Sequence, residues 1–488
     1  MNTASQEKWV GKIFLGKWCD ADGGTVPIYD PATGSQLAEL GAGQASDIQK
    51  AVERATDAQR AWAEAPFDRR ASVLYEAARL LKARTQRYVD WNVHECGSIV
   101  PKALTETNMA YDQLMMAASL PMQPDGLLFP SSMPGRINMW RRVPIGIVGI
   151  ITPWNFPLLL AMRSLAPALA LALGNAVILK PDPQSAVTGG ALVAELFADA
   201  GLPEGVLHVV PGGPATGEAL VGHPDVRMIS FTGSTVVGRR IGEACGRMLK
   251  KASLELGGNN PMIVLADADL DRVVSSAAWG SFLHQGQICL QAGRHLVHRS
   301  LAQDYAAKLA ERARRLVVGN PAIGEVHVGP LINDRQAERV ERIVRASVDA
   351  GAKVVVGGKR NDRFFEPTVL TNVTPSMPVF REEIFGPVAP ITTFDTLEEV
   401  IELVHASDYG LSAAIHSRST AAALNLAPNL RSGMVHINDQ TVNYEYQVPF
   451  GGMGSSGNGS RFGGPASVEA FTQSQLVSSM DTPIEYPF

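Results

Sequence analysis

An alternation of short apolar runs with helical stretches constrains the fold of this chain more than any other feature, and it extends from about residue 144 to residue 438. Runs rich in Val and Ile, such as 145–151 and 176–179, have the length and composition of buried strands. The stretches between such runs, for example 186–200, are helical in pattern. A βαβα order of this kind favours parallel sheets wrapped by helices, so the sequence predicts an α/β fold.

Two series of this type follow one another along the chain. The first continues through apolar runs at 206–210 and 228–231, and the second begins after Cys289 with 295–298 and ends with 433–438. A chain of 488 residues is long enough for two or three domains with a large core. Two α/β units in series imply a cleft between them.

Two further segments have helical character. Residues 45–82 carry apolar side chains at helical spacing, and Ser46 and Asp47 are expected to cap the N-terminus of that helix. Residues 157–173 are the most apolar part of the chain, but they include Arg163 and are short for a membrane span. A buried core helix is the expectation for that segment.

Composition argues against several kinds of partner. The chain has 43 basic and 48 acidic residues, for a net charge of −5, so we expect no nucleic-acid partner. Its four cysteines are scattered without a CxxC pair, which argues against a zinc site or a disulfide framework. We expect no metal, no membrane contact, no signal peptide and a reducing, cytoplasmic location.

Cys289 is the first candidate for a catalytic group. A lone cysteine is usually a small buried hydrophobe, but Cys289 follows a Gly286-Gln287 turn that would expose the thiol. A position at a loop or helix start is expected to lower the pKa of the thiol and so favour the reactive thiolate. The other three cysteines lack this context.

A carboxylate and a carboxamide complete the candidate set. Glu255 lies in an apolar segment before Gly257-Gly258; it could be a solvated charge or a cap, but partial burial would make it a general base. Asn155 could be a turn former, yet it lies in a stiff aromatic and proline-rich segment where its amide could donate to an oxyanion. Together with a thiol, these groups can attack a carbonyl and hydrolyse a thioester.

Three segments suggest a nucleotide. Residues 231–238 form a Gly-rich turn before a helix, which can bind phosphate, although the pattern is not GxGxxG. Lys180 ends a strand and could bind ribose hydroxyls, although such a lysine is more often exposed. Glu383 lies near Phe385, a combination that suits a ribose and a flat ring but also occurs in simple turns.

In their order along the chain, these motifs resemble those of the aldehyde dehydrogenase superfamily, from about residue 14 to residue 477. The motifs that carry the resemblance are residues 153–157, 180–181, 231–234, 255–258, 286–289, 383–387 and 449–452. It implies a Rossmann-like NAD(P)-binding domain, a catalytic α/β domain and a small β extension that forms homodimers or homotetramers. The implied boundaries are 1–125 and 145–256 for the cofactor domain, 257–467 for the catalytic domain, and 126–144 with 468–488 for the extension.

The resemblance also implies a role for each residue. Cys289 would be the nucleophile, the Asn155 amide would bind the oxyanion, and Glu255 would activate water. Lys180 and Glu383 would bind the two riboses. The further cofactor contacts would be Ile151, Thr152, Pro153, Trp154, Asp182, Pro183, Gly213, Phe231, Thr232, Gly233, Ser234, Val237, Gly238, Leu256, Gly257 and Phe385.

Within the superfamily, several stretches resemble the bacterial benzaldehyde dehydrogenases, among them 284–287, 292–298, 436–440 and 461–467. This implies NAD(P)-dependent oxidation of an aromatic aldehyde to the acid. The implied substrate tunnel is lined by Phe156, Leu160, Ile288, Leu290, Tyr444 and Phe450, although Tyr444 and Phe450 could instead be ordinary core aromatics. Arg163, about one helical turn from Leu160, could face the tunnel mouth, but a salt bridge is the expectation.

Other functions stay open at this point. Dehydrogenases for terpenoid, phenylalkyl or other hydrophobic aldehydes could share much of the pattern. A CoA-acylating enzyme is disfavoured by Glu255, a non-enzymatic binding protein is disfavoured by the full residue set, and esterase activity would be a side reaction of Cys289.

Four departures from the family pattern matter. Many NAD-preferring members have Glu at the position of Pro183, where it binds the adenosine ribose 2′-hydroxyl. Without that Glu, the repulsion that excludes NADP is weakened, so NAD is favoured while NADP is possible. Five residues before the nucleophile, this chain has His284 where Asn is common. The Pro-Phe-Gly-Gly motif at 449–452 is often followed two residues on by Lys, but here it continues with Met453-Gly454. An apparent two-residue insertion lies near 171–173.

Overall fold

Two seven-stranded sheets form the framework of the protein in the computed structural model, which describes residues 7–170 and 174–488. Most strands of the first sheet are parallel, and two short antiparallel strands extend one edge. In sheet order its strands are Lys251–Glu255, Val226–Thr232, Ile147–Ile151, Ala176–Lys180, Leu207–Val209, Lys12–Leu15 and Trp18–Asp20. This parallel arrangement agrees with the predicted α/β class.

The second sheet is built in the same way from the second half of the chain. Its strands are parallel except at one edge, where Lys353–Val356 runs antiparallel to its neighbour. In sheet order they are Lys353–Val356, Thr368–Thr371, Val388–Phe394, Arg294–His298, Pro261–Val264, Ser412–His416 and Met434–Ile437. The apolar runs predicted as strands lie close to these bounds, because Val and Ile suit strands buried on both faces.

A separate three-stranded antiparallel sheet lies outside this framework. It pairs Thr472–Met480 with Arg136–Pro144 and Gly126–Phe129. Shorter antiparallel pairs are Thr25–Tyr29 with Gln36–Gly41, Arg360–Asn361 with Phe364–Phe365, and Tyr409–Gly410 with Met453–Gly454. The three-stranded sheet exposes apolar side chains, including Leu127, Leu128, Phe129, Ile137 and Leu476.

Helices cover the two large sheets. In chain order the α-helices of the described residues are Ala45–Glu64, Phe67–Ala83, Thr85–Cys96, Val100–Ser119, Pro157–Ala170, Leu192–Asp199, Pro214–Gly222, Thr235–Arg247, Leu270–Phe282, Ala302–Arg314, Asp334–Asp349, Pro378–Arg381, Leu397–His405, Thr420–Leu426 and Pro465–Phe471. Their apolar faces pack on the sheets, and this burial is the main force that stabilises the fold.

The helix predicted over residues 45–82 is two helices. The first ends at Glu64 and the second begins at Phe67, because Pro66 lacks the backbone N–H that a continuous helix needs. The predicted cap is also misplaced. Gln44 is the N-cap residue, and the Asp47 carboxylate accepts a bond from the Gln44 backbone N–H at 3.0 Å.

The most apolar segment forms the helix Pro157–Ala170, in which every residue is buried. The buried core helix expected there is therefore present. Across the described ranges 7–170 and 174–488, no helix is long and apolar enough to cross a membrane. The apparent insertion near 171–173 lies outside the described residues.

Parallel strands of the first sheet bring several predicted site residues to one edge. Ile151, Lys180, Thr232 and Glu255 are each the last residue of a strand. Strand pairing places Ile151 beside Lys180, and Thr232 beside Glu255. The carboxyl ends of parallel strands are where α/β proteins bind their ligands, so this edge is the place to look for a site.

Candidate active site

A tightly turned loop presents Cys289. The residues before it, His284, Gln285 and Gly286, have φ values of 48°, 57° and 68°, in the left-handed region. A Cβ on Gly286 would collide with the Gly386 carbonyl, so glycine is required at that position. The turn leaves Cys289 half-buried, so part of its surface is exposed.

The segment after Glu255 fixes the backbone of Cys289. The Asn260 amide donates to the Cys289 carbonyl at 2.8 Å and to the Gln291 carbonyl at 2.7 Å. A Cβ on Gly258 would collide with the same Cys289 carbonyl. Sequence reasoning missed the role of Asn260, although its position directly after the Gly pair was a usable signal.

The protein environment makes the Cys289 thiol a weak acid. Burial raises the pKa of Cys289 to about 12, and the nearby Glu383 and Glu255 act in the same direction. The positive charge of Arg163 opposes them. The expectation of a lowered thiol pKa is therefore wrong for this structure, because loss of water outweighs any benefit of the loop position.

Glu255 is a buried carboxylate. It is 2% exposed, and neither of its carboxylate oxygens has a partner among the described residues. Burial raises the pKa of Glu255 to about 8, against the lowering effects of Arg163 and Arg461. A carboxyl group that loses its proton near pH 8 can accept one from water or from a thiol, as a general base must.

Asn155 is held against the Cys289 loop. Its amide nitrogen donates to the Gln287 carbonyl at 2.9 Å, which leaves the second amide hydrogen for another acceptor. Its own backbone carbonyl accepts from the buried Lys102 ammonium at 2.7 Å. Lys102 also pairs with the buried Glu106 at 2.6 Å, and sequence reasoning missed this ion pair because its members carry no motif.

Arg163 is buried, and it forms no salt bridge with any residue that the structure describes. Its guanidinium donates to the Thr232 hydroxyl at 2.9 Å and lies 4.8 Å from the ring centroids of Phe450 and Phe462. The expected salt bridge is therefore wrong, because two aromatic faces and a hydroxyl surround the cation instead. Its charge acts on both Cys289 and Glu255.

The predicted cofactor residues of the first sheet lie together at its carboxyl edge. Ile151 ends one strand, and the Thr152 backbone N–H donates to the Lys180 carbonyl at 3.2 Å. Lys180 is buried rather than exposed, and burial lowers the pKa of its ammonium. Asp182 caps a short turn, and Pro183 within that turn lines a cavity of about 440 Å³.

The Gly-rich turn leads into an uncapped helix. Ser234 is the N-cap residue of Thr235–Arg247, and its side chain makes no capping bond to the helix. Val237 in the first turn is exposed, whereas a Cβ on Gly238 would collide with Leu256. An open helix start of this kind presents backbone N–H groups to an anion such as a phosphate.

Glycines next to this helix keep the backbone close to the strand ends. A Cβ on Gly233 would come within 2.6 Å of the Phe231 ring, so that turn tolerates little else. Gly213 is the exposed N-cap residue of Pro214–Gly222, with open space where its side chain would be. Both glycines flank the same open edge.

Glu383 and Phe385 complete the group. The Glu383 carboxylate accepts from the Gly258 backbone N–H at 2.9 Å, a Cβ on Gly257 would collide with it, and burial raises its pKa to about 7. The ring of Phe385 meets that of Trp154 edge-on at 5.6 Å. Carboxylate, aromatic faces and an open helix start fit the riboses, ring and phosphates of a dinucleotide.

An apolar cluster surrounds the thiol. Its fully buried members are Ile288, Leu290, Leu411 and Phe450, and half-buried residues including Phe156, Cys289 and Tyr444 pack on them. Tyr444 meets Phe450 edge-on at 5.5 Å. Leu160 is buried one helical turn after Phe156, and its backbone N–H donates to the Phe156 carbonyl at 2.9 Å.

Known proteins match the chain along almost its whole length. A family model described as the aldehyde dehydrogenase family matches residues 18–477. Benzaldehyde dehydrogenase of Pseudomonas putida, whose name specifies NAD(+), is 58% identical over 486 residues and is aligned over 100% of this chain and 99% of its own. Vanillin dehydrogenase of an Amycolatopsis strain is 50% identical, with 100% of both chains aligned.

Solved structures give the same result. Betaine aldehyde dehydrogenase of Staphylococcus aureus, solved in complex with NAD+, superposes with a TM-score of 0.94 at 29% identity over 98% of this chain and 96% of its own. An NADP-dependent enzyme of Escherichia coli superposes with a TM-score of 0.94 at 32% identity, covering 97% of this chain and 98% of that one. With its sequence and fold both matched nearly end to end, this protein belongs to the aldehyde dehydrogenase family.

Proposed function

We propose that this aldehyde dehydrogenase oxidises a benzaldehyde-like aromatic aldehyde to the carboxylic acid with NAD or NADP as the acceptor. The observation that carries the proposal is the position of Cys289, half-buried among apolar and aromatic side chains such as Phe156, Tyr444 and Phe450. Edge-to-face ring contacts add about 0.5–1.5 kcal/mol each beyond apolar burial, which favours an aromatic substrate. The benzaldehyde and vanillin dehydrogenases at 58% and 50% identity support it.

Catalysis begins at the thiol. Cys289 attacks the aldehyde carbon, and the resulting oxyanion accepts from the free amide hydrogen of Asn155 and from the Cys289 backbone N–H. A nicotinamide cofactor held by Lys180, Glu383 and Phe385 would supply the hydride acceptor, and a thioester would then remain on Cys289. Lys102 holds the backbone of Asn155 and so keeps the amide donor beside the loop that carries the thiol.

Glu255 completes the reaction by activating water. The thiol proton passes to solvent as the half-buried Cys289 attacks the aldehyde. Glu255, with a pKa of about 8, is the nearby carboxylate that can accept a proton later in the cycle. In the second half of the cycle, we assign the same carboxylate to the removal of a proton from water as the water attacks the thioester. Arg163 carries the positive charge that balances Glu255 when it is ionised.

The choice of nicotinamide cofactor depends on the turn after Lys180. Pro183 supplies no carboxylate to accept from the adenosine 2′-hydroxyl or to repel a 2′-phosphate. We therefore propose that NAD is preferred and that NADP is also used. The protein's other anchors, Lys180 and Glu383, are common to both cofactors.

A spectrophotometric screen tests the proposal. The enzyme is given benzaldehyde, acetaldehyde, phenylacetaldehyde and geranial, each with NAD and with NADP, and NADH or NADPH formation is recorded with and without CoA. We expect a much higher kcat/KM for benzaldehyde than for acetaldehyde, and no dependence on CoA. A preference for geranial would favour the terpenoid alternative, a need for CoA would favour an acylating enzyme, and no turnover with any aldehyde would favour a binding protein.

We also propose that the enzyme is a homodimer or homotetramer assembled through the three-stranded sheet. That sheet exposes a run of apolar side chains, with Leu128 73% and Leu476 65% exposed. Surfaces of this kind are costly in water unless another chain covers them. Light scattering of the purified enzyme and of a Leu128→Lys/Leu476→Lys variant tests it, and a wild-type monomer would contradict it.

The division into domains is a further part of this proposal. Residues 1–125 with 145–256 would bind the cofactor, 257–467 would carry the nucleophile, and 126–144 with 468–488 would form the extension. The four cysteines are all free, which suits an enzyme of the reducing cytoplasm.

A further inference from the structure

One buried amide beside the substrate cluster has an unmet hydrogen bond. Gln113 lies on the helix Val100–Ser119 and is 1% exposed. Its amide nitrogen donates to the Tyr444 hydroxyl, while its carbonyl oxygen has no partner among the described residues. Buried polar atoms are nearly always paired, because leaving one unpaired is costly, so this oxygen needs an explanation.

The partner of Gln113 also has hydrogen-bonding capacity to spare. The Tyr444 hydroxyl accepts from Gln113, so its own hydrogen is free, and the described residues offer it no acceptor. Tyr444 is protonated near neutral pH, as an ordinary tyrosine is, and burial raises its pKa further, to about 12. The side chain is half-buried within the apolar cluster that includes Cys289 and Phe156, and so part of its surface is accessible.

The unmet capacity does not depend on how the amide is turned. If the Gln113 amide were rotated by 180°, its oxygen would accept from Tyr444 and its nitrogen would have both hydrogens free. In either orientation, the pair has at least one unused polar group beside the apolar cluster. An unsubstituted hydrocarbon ring would leave that group unpaired.

We propose that Gln113 and Tyr444 form a polar subsite that binds a hydroxyl group on the ring of the aldehyde. A phenolic hydroxyl has one hydrogen to donate and lone pairs to accept, which matches the free Gln113 oxygen and the free Tyr444 hydrogen together. Hydroxylated benzaldehydes are therefore better substrates than benzaldehyde itself. This inference rests on the proposed oxidation of aromatic aldehydes and specifies the substrate class.

Selectivity between matched substrates tests the subsite. The kcat/KM values for 3-hydroxybenzaldehyde and 4-hydroxybenzaldehyde are each divided by the value for benzaldehyde, in the wild type and in Gln113→Leu and Tyr444→Phe variants. Both variants keep most of the side-chain volume and remove the polar group. We expect at least one wild-type ratio to be above 1, and each variant to lower that ratio about 10- to 100-fold, the range for a lost hydrogen bond to a buried polar group.

Two controls make the result decisive. Gln86 lies exposed on the helix Thr85–Cys96, so Gln86→Leu makes the same chemical change away from the cluster and should leave the ratio at its wild-type value. The double variant Gln113→Leu/Tyr444→Phe should lose little more selectivity than either single variant, because both remove one shared interaction. If Gln113→Leu fails to fold, Gln113→Met and Tyr444→Phe carry the same test.

The possible outcomes distinguish a failure of the Gln113–Tyr444 subsite from a failure of the proposed oxidation of aromatic aldehydes. Hydroxyl-to-hydrogen ratios that are equal in the wild type and in both variants would overturn the subsite, even with efficient benzaldehyde oxidation; a bound water that satisfies Gln113 would give this result. Failure to oxidise any benzaldehyde, with good turnover of aliphatic or terpenoid aldehydes, would instead overturn the proposed function. A ratio that falls in both variants but not in Gln86→Leu supports the subsite.

Discussion

Replacing Glu255 by Gln should separate the two halves of the reaction. The substitution keeps the size of the side chain and removes its ability to accept a proton from water. Removal of a general base typically costs about 10²- to 10⁴-fold in rate, so steady-state turnover should fall by that factor. The first hydride transfer should survive, which predicts a burst of NADH followed by a slow phase.

The pH dependence of the wild type supplies the magnitude. With a pKa of about 8, Glu255 is about 10% ionised at pH 7 and about 90% ionised at pH 9. The base works only when deprotonated, so steady-state turnover should rise roughly ninefold between these pH values. The Gln variant should lack this rise. Steady-state turnover should still rise with pH if Arg163 shifts the pKa of Glu255, because a base gains activity as the pH rises through its pKa.

Stopped-flow recording of NADH between pH 6 and pH 10 measures both effects. Glu383→Gln is the matched control, because that buried carboxylate also has a raised pKa, of about 7, but lies with the cofactor residues. Glu383→Gln should weaken binding of NAD and leave the rise in steady-state turnover between pH 7 and pH 9 in place. Loss of the burst together with steady-state turnover in Glu255→Gln would refute the assignment to deacylation and place Glu255 in activation of Cys289.

Further predictions follow from individual contacts. Cys289→Ala should abolish dehydrogenase and esterase activity while NAD binding, measured by calorimetry, is retained; substantial residual activity would exclude Cys289 as nucleophile. Pro183→Glu should raise the NAD:NADP ratio of kcat/KM, and an unchanged ratio would show that this turn does not approach the 2′ position. Lys102→Met should leave the Glu106 carboxylate buried without its partner and cost about 3–5 kcal/mol in unfolding free energy, whereas Lys102→Met/Glu106→Gln should cost less; equal losses in urea melts would argue against the ion pair. Tyr444→Ala should raise KM for benzaldehyde more than for acetaldehyde, and equal increases would remove Tyr444 from the tunnel.

The sequence predicted the strands of the two sheets well because each strand can be identified from the composition of its own residues. Apolar runs such as 145–151 and 295–298 became strands with nearly the same bounds, since a buried parallel strand needs little more than β-branched and apolar residues. The break between the first two helices was also available from the sequence, as Pro66 stands at the break. The helical spacing of apolar residues continues across Pro66, so periodicity alone predicted one helix.

Long-range contacts explain what the sequence did not predict. The cation of Arg163 lies between Phe450 and Phe462, nearly three hundred residues further along the chain, so its partners could not be inferred locally. The thiol pKa of Cys289 depends on burial by many segments and on carboxylates from two others, and the local turn predicted the opposite direction. The contacts of Lys102 and Asn260 with the catalytic loops likewise appear only when the chain is folded.

Intact-mass and peptide mass spectrometry of the Glu255→Gln enzyme tests the central claim most directly. After brief mixing with benzaldehyde and NAD, deacylation should be slow enough to trap the acyl-enzyme. We predict one benzoyl group per chain, attached through a thioester to the peptide that contains Cys289, and formed in step with NADH. NADH formation without a benzoyl adduct, or an adduct on any other residue, would contradict oxidation of an aromatic aldehyde through Cys289.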